Sequence, residues 1–499
     1  GKRLQHEHSL VGIQSEEMTL APGAGKTCGF FGGFNPDHPN ATEDFDAGWI
    51  DGLLALPEAA PPDWNAPSSG HPAAETLFSR ASQLDSLELT DDEIRGFFGA
   101  ETRHMESGDG GVWSFFTGEN QHVVFKAKEN AVLRPHGMIL RSGGVLTADE
   151  SLLTSTCWMN GVFHSMVTQG HVSINRFLST CHSYLGLFRS HGQRVFVKLD
   201  GAWCLLGLPS AFEMAPDRCR WIYKHAGGNI EVISEAPSSR NELSLEIRHL
   251  TDAPLPVLIS HHVAMNGDDG NAPHPVVRED REGGIFVRAI PDSDVGRRFP
   301  DGGFLVRPAD GTVFETAGGD ELLFRDGVSR GQPFLCVLTK PAPRVGLTIV
   351  GRLVDDQDQH DAEFWKNIPA GLRIEGPEHS PAAAAAGRIA DLFPWLIQNA
   401  LIHYLSPRGL EQYSGGGWGT RDVCQGPVEL LLALGKGEPI RDLLLRVFKQ
   451  QNPDGDWPQW FMFFDRERNI RPGDSHGDIV YWPLVALAEY LTTSGDFTI

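Results

Sequence analysis

Positive charge is scarce in this sequence. Its 499 residues include 42 Lys and Arg against 65 Asp and Glu, which gives a formal net charge of −23. Proteins that bind nucleic acid or anionic membranes need a basic surface to neutralise phosphates, so neither partner is expected. Long apolar runs are missing too, because no stretch approaches the roughly 18 consecutive apolar residues of a membrane span.

From the spacing of the cysteines and from the first residues, we expect neither a metal site formed by cysteines nor a secretory signal peptide. The seven cysteines are an odd number, and they show no CxxC pair or other spacing typical of a metal site. The first residues, Gly1 to His6, are polar and lack the apolar segment of a signal peptide. We therefore expect free thiols in a cytoplasmic protein without a metal. The sequence has no initiator Met and ends directly after a helical pattern, so we expect a fragment of a longer polypeptide.

Glycine and proline, by contrast, are frequent, at 56 and 33 residues. They predict many turns and a large β component. Between residues 111 and 375, runs such as Glu242–Arg248 alternate apolar and polar residues, whereas Val257–Val263 is almost continuously apolar. These patterns are typical of half-buried and central strands, and they predict a large antiparallel β-sandwich over 111–375. Residues 1–110 are weakly periodic and predict an N-terminal extension with a small β region.

The pattern changes near residue 376. The stretch 376–406 opens with Gly and Pro and becomes a strong helix-forming run from Ala382, with a kink expected at Pro394. It predicts a helical linker. Residues 407–499 hold further helical patterns, separated by loops dense in Gly, Trp, Asp and Pro. Helices joined by such loops indicate a helical catalytic domain whose loops carry the site.

Three loops in this last region carry the residue types that a sugar site needs. Residues 415–425 place an indole, a guanidinium, a carboxylate and an amide in a Gly-rich segment that opens a helix; 454–460 and 474–478 add carboxylates, indoles, an amide and an imidazole. Indoles cover the apolar faces of sugar rings, and the polar groups bind vicinal hydroxyls. The first loop alone also fits a salt-bridged helix N-terminus, but three together predict a carbohydrate pocket. The candidate substrate-binding residues are Trp418, Arg421, Asp422, Gln425, Asp456, Trp457, Gln459, Trp460, His476 and Asp478.

The same loops resemble motifs of the family 94 glycoside phosphorylases. The similar segments are Trp418–Gln425, Gly455–Trp460 and Ser475–Leu484, and supporting similarity lies in the β region at Trp158–Ser165 and Leu206–Met214. The resemblance covers nearly the whole chain. Within the family it points to the members that act on β-1,2-linked glucooligosaccharides.

This resemblance implies a fold, ligands and roles for the candidate residues. The expected fold is multidomain β plus α: a super-β-sandwich of the galactose-mutarotase-like type, a helical linker, and the first, incomplete part of an (α/α)6 barrel over 407–499. Arg421 and Asp422 would hold hydroxyls of the glucosyl unit being transferred. No cofactor is expected, since inorganic phosphate is the co-substrate beside the β-glucan oligosaccharide, and a homodimer is expected because relatives are commonly dimers. The other residues implied to line the pocket are Trp457, Gln459, His476 and Asp478.

The implied reaction is inverting phosphorolysis that releases α-glucose 1-phosphate and a shortened glucan. Phosphate attacks the anomeric carbon while one carboxylic acid protonates the leaving oxygen. In the family this acid is the Asp of an Asp-Trp-Asn type motif well downstream of the Arg-Asp pair. The tripeptide Asp63-Trp64-Asn65 lies before the β-sandwich, so we interpret it as a decoy. No catalytic residue is assigned within the chain, and the general acid is expected beyond Ile499, in the remainder of the polypeptide.

Three alternatives stay open at this point. One is the phosphorylase-like domain of a cyclic β-1,2-glucan synthase, which would carry membrane spans elsewhere in its polypeptide. Another is a cellobiose-type phosphorylase, which Gly426 disfavours because many relatives carry Asp at that position. The third is a non-catalytic glucan-binding protein built on a barrel that has lost its acid.

Overall fold

The computed structural model describes residues 17–26, 28, 33, 37–38, 43–60, 74–132, 135–170, 175–180, 189–265, 276–355, 361–406, 416–473, 475 and 477–499. The chain forms two compact units, Gly1–Ala73 and Ala74–Ile499. In the smaller unit, a 3₁₀ turn at Asp44–Gly48 leads into a short helix, and a second 3₁₀ turn follows at Pro57–Ala59. The tripeptide Asp63-Trp64-Asn65 lies outside the described residues.

Strands dominate the larger unit. Further 3₁₀ turns lie at Asp320–Leu322, Pro369–Gly371 and Ile479–Tyr481. Within the described residues the strands are β1 Ser82–Gln83, β2 Thr102–Gly108, β3 Gly111–Thr117, β4 His122–Phe125, β5 Gly137–Arg141, β6 Leu153–Trp158, β7 Val162–Gln169, β8 Gln193–Leu199, β9 Ala202–Leu205, β10 Ala211–Ala215, β11 Arg218–His225, β12 Gly228–Glu235, β13 Glu242–His249, β14 Val257–His262, β15 Val277–Arg281, β16 Gly284–Arg288, β17 Gly303–Pro308, β18 Phe314–Gly318, β19 Phe334–Thr339, β20 Arg344–Gly351, β21 Trp418–Gly419 and β22 Trp460–Phe461.

The helices are short in the β region and longer after it. They are α1 Trp49–Leu54, α2 Leu77–Arg80, α3 Asp91–Phe98, α4 Lys126–Ala131, α5 Asp294–Arg298, α6 Phe364–Asn367, α7 Pro381–Ala390, α8 Phe393–Leu405, α9 Thr420–Cys424, α10 Gly426–Ala433, α11 Gly437–Phe448 and α12 Trp482–Ser494. No helix of the described part is both long and apolar enough to cross a membrane.

Three sheets build the β part. An eleven-stranded antiparallel sheet has the order β15-β16-β17-β20-β13-β12-β11-β10-β4-β3-β2, and a six-stranded sheet has the order β1-β9-β8-β14-β19-β18. β5, β6 and β7 form a third sheet. One apolar core joins all three, since it contains Phe163 of β7, Ile259 of β14 and Trp221 of β11. The rings of Phe163 and Trp221 meet edge to face with their centroids 4.9 Å apart. Sheets packed face to face in this way form a β-sandwich.

The sequence patterns match the environments of these strands. In β13, Leu243, Leu245 and Ile247 are buried while the residues between them are less buried or exposed, as period-two alternation requires. All six residues of β14 are buried, because β14 lies between β8 and β19 in the middle of its sheet. The prediction of a β-rich, sandwich-type region is therefore confirmed.

The helix-forming run after residue 380 is divided in two. α7 ends at Ala390 and α8 begins at Phe393, with Pro394 in the first turn of α8. Proline is tolerated there because the first turn of a helix has no intrahelical partner for its N–H groups. The predicted kink is thus a break between two helices.

The four helices α9–α12 share a second core with α8. α11 buries Ile440, Leu443, Leu444 and Val447, the i, i+3, i+4, i+7 positions of one helical face. The same core contains Trp418 and many apolar residues from the loops between these helices. The predicted division of the chain at 110, 375 and 406 stays a prediction, as does the barrel.

Candidate functional site

The first and second polar loops are held together by a two-residue β-ladder. Strand β21 pairs antiparallel with β22, so that Gly419 lies opposite Trp460. Beside the ladder, the backbone N–H of Thr420 donates to the carbonyl of Gln459 at 3.0 Å. The buried hydroxyl of Thr420 donates to the carbonyl of Pro458 at 2.6 Å. Two loops about 40 residues apart in sequence are therefore fixed side by side at the start of α9.

Two glycines make this arrangement possible. A side chain at Gly417 would overlap the backbone carbonyl of Phe461 in the facing strand. A side chain at Gly419 would overlap the carboxylate of Asp422, which folds back over the start of α9. The Gly-rich composition of the first loop thus reflects close approach of backbone and carboxylate at these two positions.

The third loop meets the first through a charged contact. Arg421 Nη1 lies 3.5 Å from Asp478 Oδ1, and Arg421 Nε lies 4.0 Å from Asp422 Oδ1. The side chains are 52%, 53% and 43% exposed in the order Arg421, Asp478, Asp422. A guanidinium with a carboxylate on either side is therefore open to solvent, where it can bind neighbouring hydroxyls of a sugar.

Trp482, the first residue of α12, fixes one of these carboxylates. Its Nε1–H donates to Asp478 Oδ2 at 3.0 Å. This hydrogen bond, together with Arg421, lowers the pKa of Asp478 below its ordinary value. Asp478 is thus ionised at neutral pH and is suited to accept hydrogen bonds from hydroxyls rather than to act as a general acid. No role was predicted for Trp482 from the sequence. Its position four residues after Asp478 could have indicated the contact, because residues at i and i+4 are neighbours on a helical turn.

The indole of Trp418 lies inside the helical core. It is 1% exposed, and its Nε1–H donates to the carbonyl of Tyr404 at 2.7 Å. Its ring stacks between Tyr404, at 5.6 Å, and Phe463, at 4.4 Å, with interplanar angles of 20° and 18°. Both ring faces are covered by protein. Tyr404 and Phe463 thereby hold the first loop in place, although neither was among the residues predicted from the sequence motifs.

The second loop divides its predicted residues between interior and surface. Trp457 is 1% exposed, and its Nε1–H donates to the carbonyl of Val447 at 3.0 Å. Asp456 is half-buried and accepts a hydrogen bond of 2.6 Å from Asn452 Nδ2, which closes a turn. Trp460 is 36% exposed, so an indole face is available there.

The remaining candidates are two glutamines and a histidine. The side chain of Gln459 is exposed and that of Gln425 half-buried, and neither amide has a hydrogen-bond partner among the described residues. His476 lies outside the described residues. The structure therefore brings Arg421, Asp422 and Asp478 into one cluster and places Gln459 in the strand-paired loop next to it.

Among the described residues, neither a metal centre nor an evident general acid accompanies this cluster. Within the part of the chain that the structure describes, no group of three or more His, Cys, Asp or Glu could hold a metal ion. In the helical region burial raises the pKa of Glu467. Its Oε1, however, accepts a hydrogen bond of 3.2 Å from Arg298 Nη1, which engages it with the β part.

Comparison with known proteins identifies the class. The family model described as the glycoside phosphorylase supersandwich domain matches residues 100–349, half of the chain. The chain belongs to this glycoside phosphorylase family, which confirms the resemblance drawn from its motifs.

One curated relative is similar over most of this chain. Over 398 residues the chain is 31% identical to the 1,2-β-oligoglucan phosphorylase of Listeria innocua serovar 6a. The alignment covers 78% of this chain and 36% of the relative, so the chain spans little more than a third of the length of the curated relative that it matches.

Two solved structures show distant similarity to this chain. A 4-α-glucanotransferase from Thermococcus litoralis has a TM-score of 0.25 and 10% identity, covering 45% of this chain and 40% of its own. A polysaccharide lyase has a TM-score of 0.21 and 11% identity, with coverages of 46% and 34%. Neither match carries an argument about this protein.

Proposed function

We propose that the protein to which this chain belongs catalyses the inverting phosphorolysis of β-1,2-linked glucooligosaccharides. The products are α-glucose 1-phosphate and a glucan one unit shorter. The observation that carries the proposal is the meeting of three loops, through the β21–β22 ladder and the Arg421–Asp478 contact. The family membership and the 31% identity to an oligoglucan phosphorylase support the same reaction.

In this proposal, Arg421, Asp422 and Asp478 bind the glucosyl unit that is transferred. Their charges are exposed and close together, so one guanidinium and two carboxylates can each bind ring hydroxyls. Gln459 and Gln425 add amides without partners in the described part of the chain. Trp460 offers an accessible indole to a sugar ring.

Trp418, Trp457 and Asp456 serve the site indirectly. The two indoles are packed and hydrogen-bonded inside the core, and the carboxylate of Asp456 closes the turn that precedes Trp457. We assign them the positioning of the loops on which the binding residues lie. His476, in the third loop, is proposed as a further pocket residue on the resemblance of its motif alone.

The chemical step requires one acid and a bound phosphate. A phosphate oxygen forms the new bond to the anomeric carbon from the face opposite the leaving group, the glycosidic C–O bond breaks, and the acid gives its proton to the leaving oxygen. The pKa of Asp478 is lowered, and Asp456 is engaged with Asn452. We therefore propose that the acid comes from a part of the protein outside this chain.

The proposal also covers the fold, the location and the assembly of the complete protein. Helices α9–α12 are proposed to be the first helices of an (α/α)6 barrel, with α7 and α8 as the linker between the sandwich and the barrel. The six cysteines described by the structure are free thiols, which supports a reducing, cytoplasmic location. A homodimer is proposed from the resemblance alone.

The test uses the complete protein. It is incubated with β-1,2-glucooligosaccharides, with and without inorganic phosphate, and glucose 1-phosphate is measured by a coupled assay. Phosphate-dependent release of glucose 1-phosphate is expected. Free glucose formed without phosphate would indicate a hydrolase, and binding of glucan without any product would indicate a non-catalytic binding protein; either result would refute the proposal.

A further inference from the structure

A basic pocket lies beside α11. It has a volume of about 620 Å³ and is formed by one face of α11 and by the segment that follows β22. Arg421, Asp422 and Asp478 do not contribute to its lining. Its volume falls within the range of small-molecule sites and exceeds what a single inorganic anion fills.

The lining of this pocket has an excess of positive charge, whereas the chain as a whole is negative. Its charged lining residues are four cations, Arg446, Lys449, Arg468 and Arg471, and two carboxylates. The chain as a whole has a net charge of −23. A local excess of positive charge on such an acidic protein creates a potential that attracts anions.

Two of the cations are fixed by the protein and shape the pocket. Arg446 Nε donates to Asp442 Oδ2 at 2.9 Å, and Arg446 Nη1 donates to the carbonyl of Phe463 at 3.0 Å. Arg471 donates to the carbonyl of Gln450 and, at 2.5 Å, to Asn452 Oδ1. Their remaining N–H groups are held in defined positions at the wall.

The other two cations have their full hydrogen-bonding capacity available. Lys449 follows the end of α11 and Arg468 lies on the opposite segment; both are exposed, and neither has a side-chain hydrogen bond or ion pair within the described residues. Two such groups on facing elements are suited to clamp a phosphate, because an ammonium and a guanidinium both donate to its oxygens.

The pocket is also lined by polar groups that can form hydrogen bonds with sugar hydroxyls. Asp465, Asn469 and the side-chain amide of Gln450 also line the pocket, and in the described part of the chain their side chains have no partners. Carboxylate and amide groups accept and donate hydrogen bonds to sugar hydroxyls. We propose that this pocket binds a sugar monophosphate, with Lys449 and Arg468 on the phosphate and Asp465 and Asn469 on the sugar.

This inference rests in part on the proposed function, because that reaction releases a sugar monophosphate. Arg421, Asp422 and Asp478 nevertheless do not line the pocket, so the two proposals can fail independently. If the protein forms no glucose 1-phosphate from glucans, the proposed function fails, while binding of a sugar phosphate at the pocket is still measurable.

The experiment is calorimetric titration of the complete protein with glucose 6-phosphate and glucose 1-phosphate, compared with glucose and inorganic phosphate. The Arg421→Ala variant weakens the candidate active site and leaves the pocket unchanged. In that background, binding of both sugar phosphates is expected to persist. Adding Lys449→Ala and Arg468→Ala is expected to weaken it by at least about tenfold, because two charged hydrogen-bonding groups are lost.

A matched control removes two other exposed cations that lack partners in the described structure, Lys436 and Arg388. The Lys436→Ala/Arg388→Ala variant changes the net charge equally and should bind as tightly as its parent. Thermal unfolding confirms that each variant is folded. Equal binding by pocket and control variants, or no binding of sugar phosphate in the Arg421→Ala background, would overturn the proposal, as would binding of inorganic phosphate as tight as that of the sugar phosphates.

Discussion

Arg421 is a candidate for substrate binding because it lies close to two carboxylates, and not because its contacts with them are strong. Its ion-pair distances are 3.5 and 4.0 Å and all three side chains are about half exposed. Exposed ion pairs of this kind contribute little to stability, because solvent screens them. A guanidinium that stabilises the fold so little is available for a substrate.

The first prediction concerns this guanidinium. Arg421→Ala in the complete protein should lower kcat/KM for phosphorolysis at least about a hundredfold, because a lost charged contact to a sugar costs a few kcal/mol. The midpoint of thermal unfolding should change little. Arg388→Ala, which removes an exposed arginine on α7, is the control and should keep wild-type turnover. Near-normal turnover of Arg421→Ala would refute the assignment.

The second prediction concerns the hydrogen bond that fixes Asp478. Trp482→Phe keeps an aromatic ring but removes the Nε1–H that donates to Asp478 Oδ2. Because this donor stabilises the charged carboxylate, its loss should raise the pKa of Asp478 toward the ordinary value. NMR titration of the Asp478 carboxyl measures this shift directly, and KM for the oligosaccharide should rise.

Tyr481→Phe is the matched control, since Tyr481 precedes Trp482, is 65% exposed and has no partner for its hydroxyl within the described residues. An unchanged pKa of Asp478 in Trp482→Phe would show that the indole does not set its ionisation.

At the scale of elements, a ladder of only two residues per strand joins two loops of the candidate site. Strands β21 and β22 are too short to be stable alone, and they are held by their surroundings. The hydroxyl of the buried Thr420 bonds across to Pro458, and the indole of Trp418 is clamped in the helical core. The burial of Trp418 thus transfers the rigidity of the core to the loop that bears Arg421.

The third prediction tests this ladder through a pair of glycines. In Gly417→Ala the new methyl group would overlap the carbonyl of Phe461, so the two strands must separate. Unfolding midpoint and phosphorolysis should both fall, the latter by at least about tenfold, because small displacements of binding groups cost that much. Gly387→Ala is the control. No atom outside its own helix lies within 4 Å of the added methyl group, and alanine is the better helix former in the interior of α7.

Gly387→Ala should therefore be as stable as wild type or slightly more so, with unchanged activity. If Gly417→Ala behaved like Gly387→Ala, the ladder would not be what positions Arg421.

At the scale of the whole molecule, the sequence predicted those features that a local pattern records. The alternation in Glu242–Arg248 reports directly which residues of β13 are buried, and the helical spacing around Ile440 predicts α11. The pairing of β13 with β20 has no such local signal, because the two strands are about 100 residues apart. Sheet order depends on long-range packing that a single sequence does not display.

The candidate site shows the same limit. Arg421, Asp422 and Asp478 could be predicted as site residues from the sequence, because they lie in polar loops that show no apolar periodicity. The indoles could not be sorted, since tryptophan serves packing and sugar binding equally well. Trp418 and Trp457 are core residues, and only Trp460 among the three presents its ring to solvent.

The fourth prediction is an acid-dependent loss of stability that arises from a histidine in the middle of the β-sandwich. His261 is fully buried. Its Nδ1–H donates to the carbonyl of Leu335 at 3.1 Å, and its Nε2 accepts a hydrogen bond of 3.0 Å from the side-chain amide of Gln193. The neutral ring therefore satisfies both neighbours, whereas a protonated ring would lose its acceptor. Burial lowers the pKa of His261 to about 4.

The sign of the effect follows from that shift. Between pH 6.5, the ordinary pKa of histidine, and about pH 4, the unfolded chain binds a proton at this histidine and the folded chain does not. Stability is therefore complete above the unfolded pKa and falls by about 1.4 kcal/mol per pH unit per group as pH decreases through this window. His122, whose pKa burial also lowers to about 4, adds in the same direction. Urea unfolding followed by tryptophan fluorescence from about pH 8 to pH 4 measures the slope.

His261→Gln isolates the contribution of one group, because an amide can replace the ring as donor and acceptor but does not titrate in this range. Its stability at about pH 8 is expected to be lower than that of wild type, since the smaller side chain packs less well. Its loss of stability on acidification should be shallower by one proton. An identical slope in wild type and variant would show that His261 is protonated in the folded protein, contrary to the neutral pairing with Gln193 and Leu335.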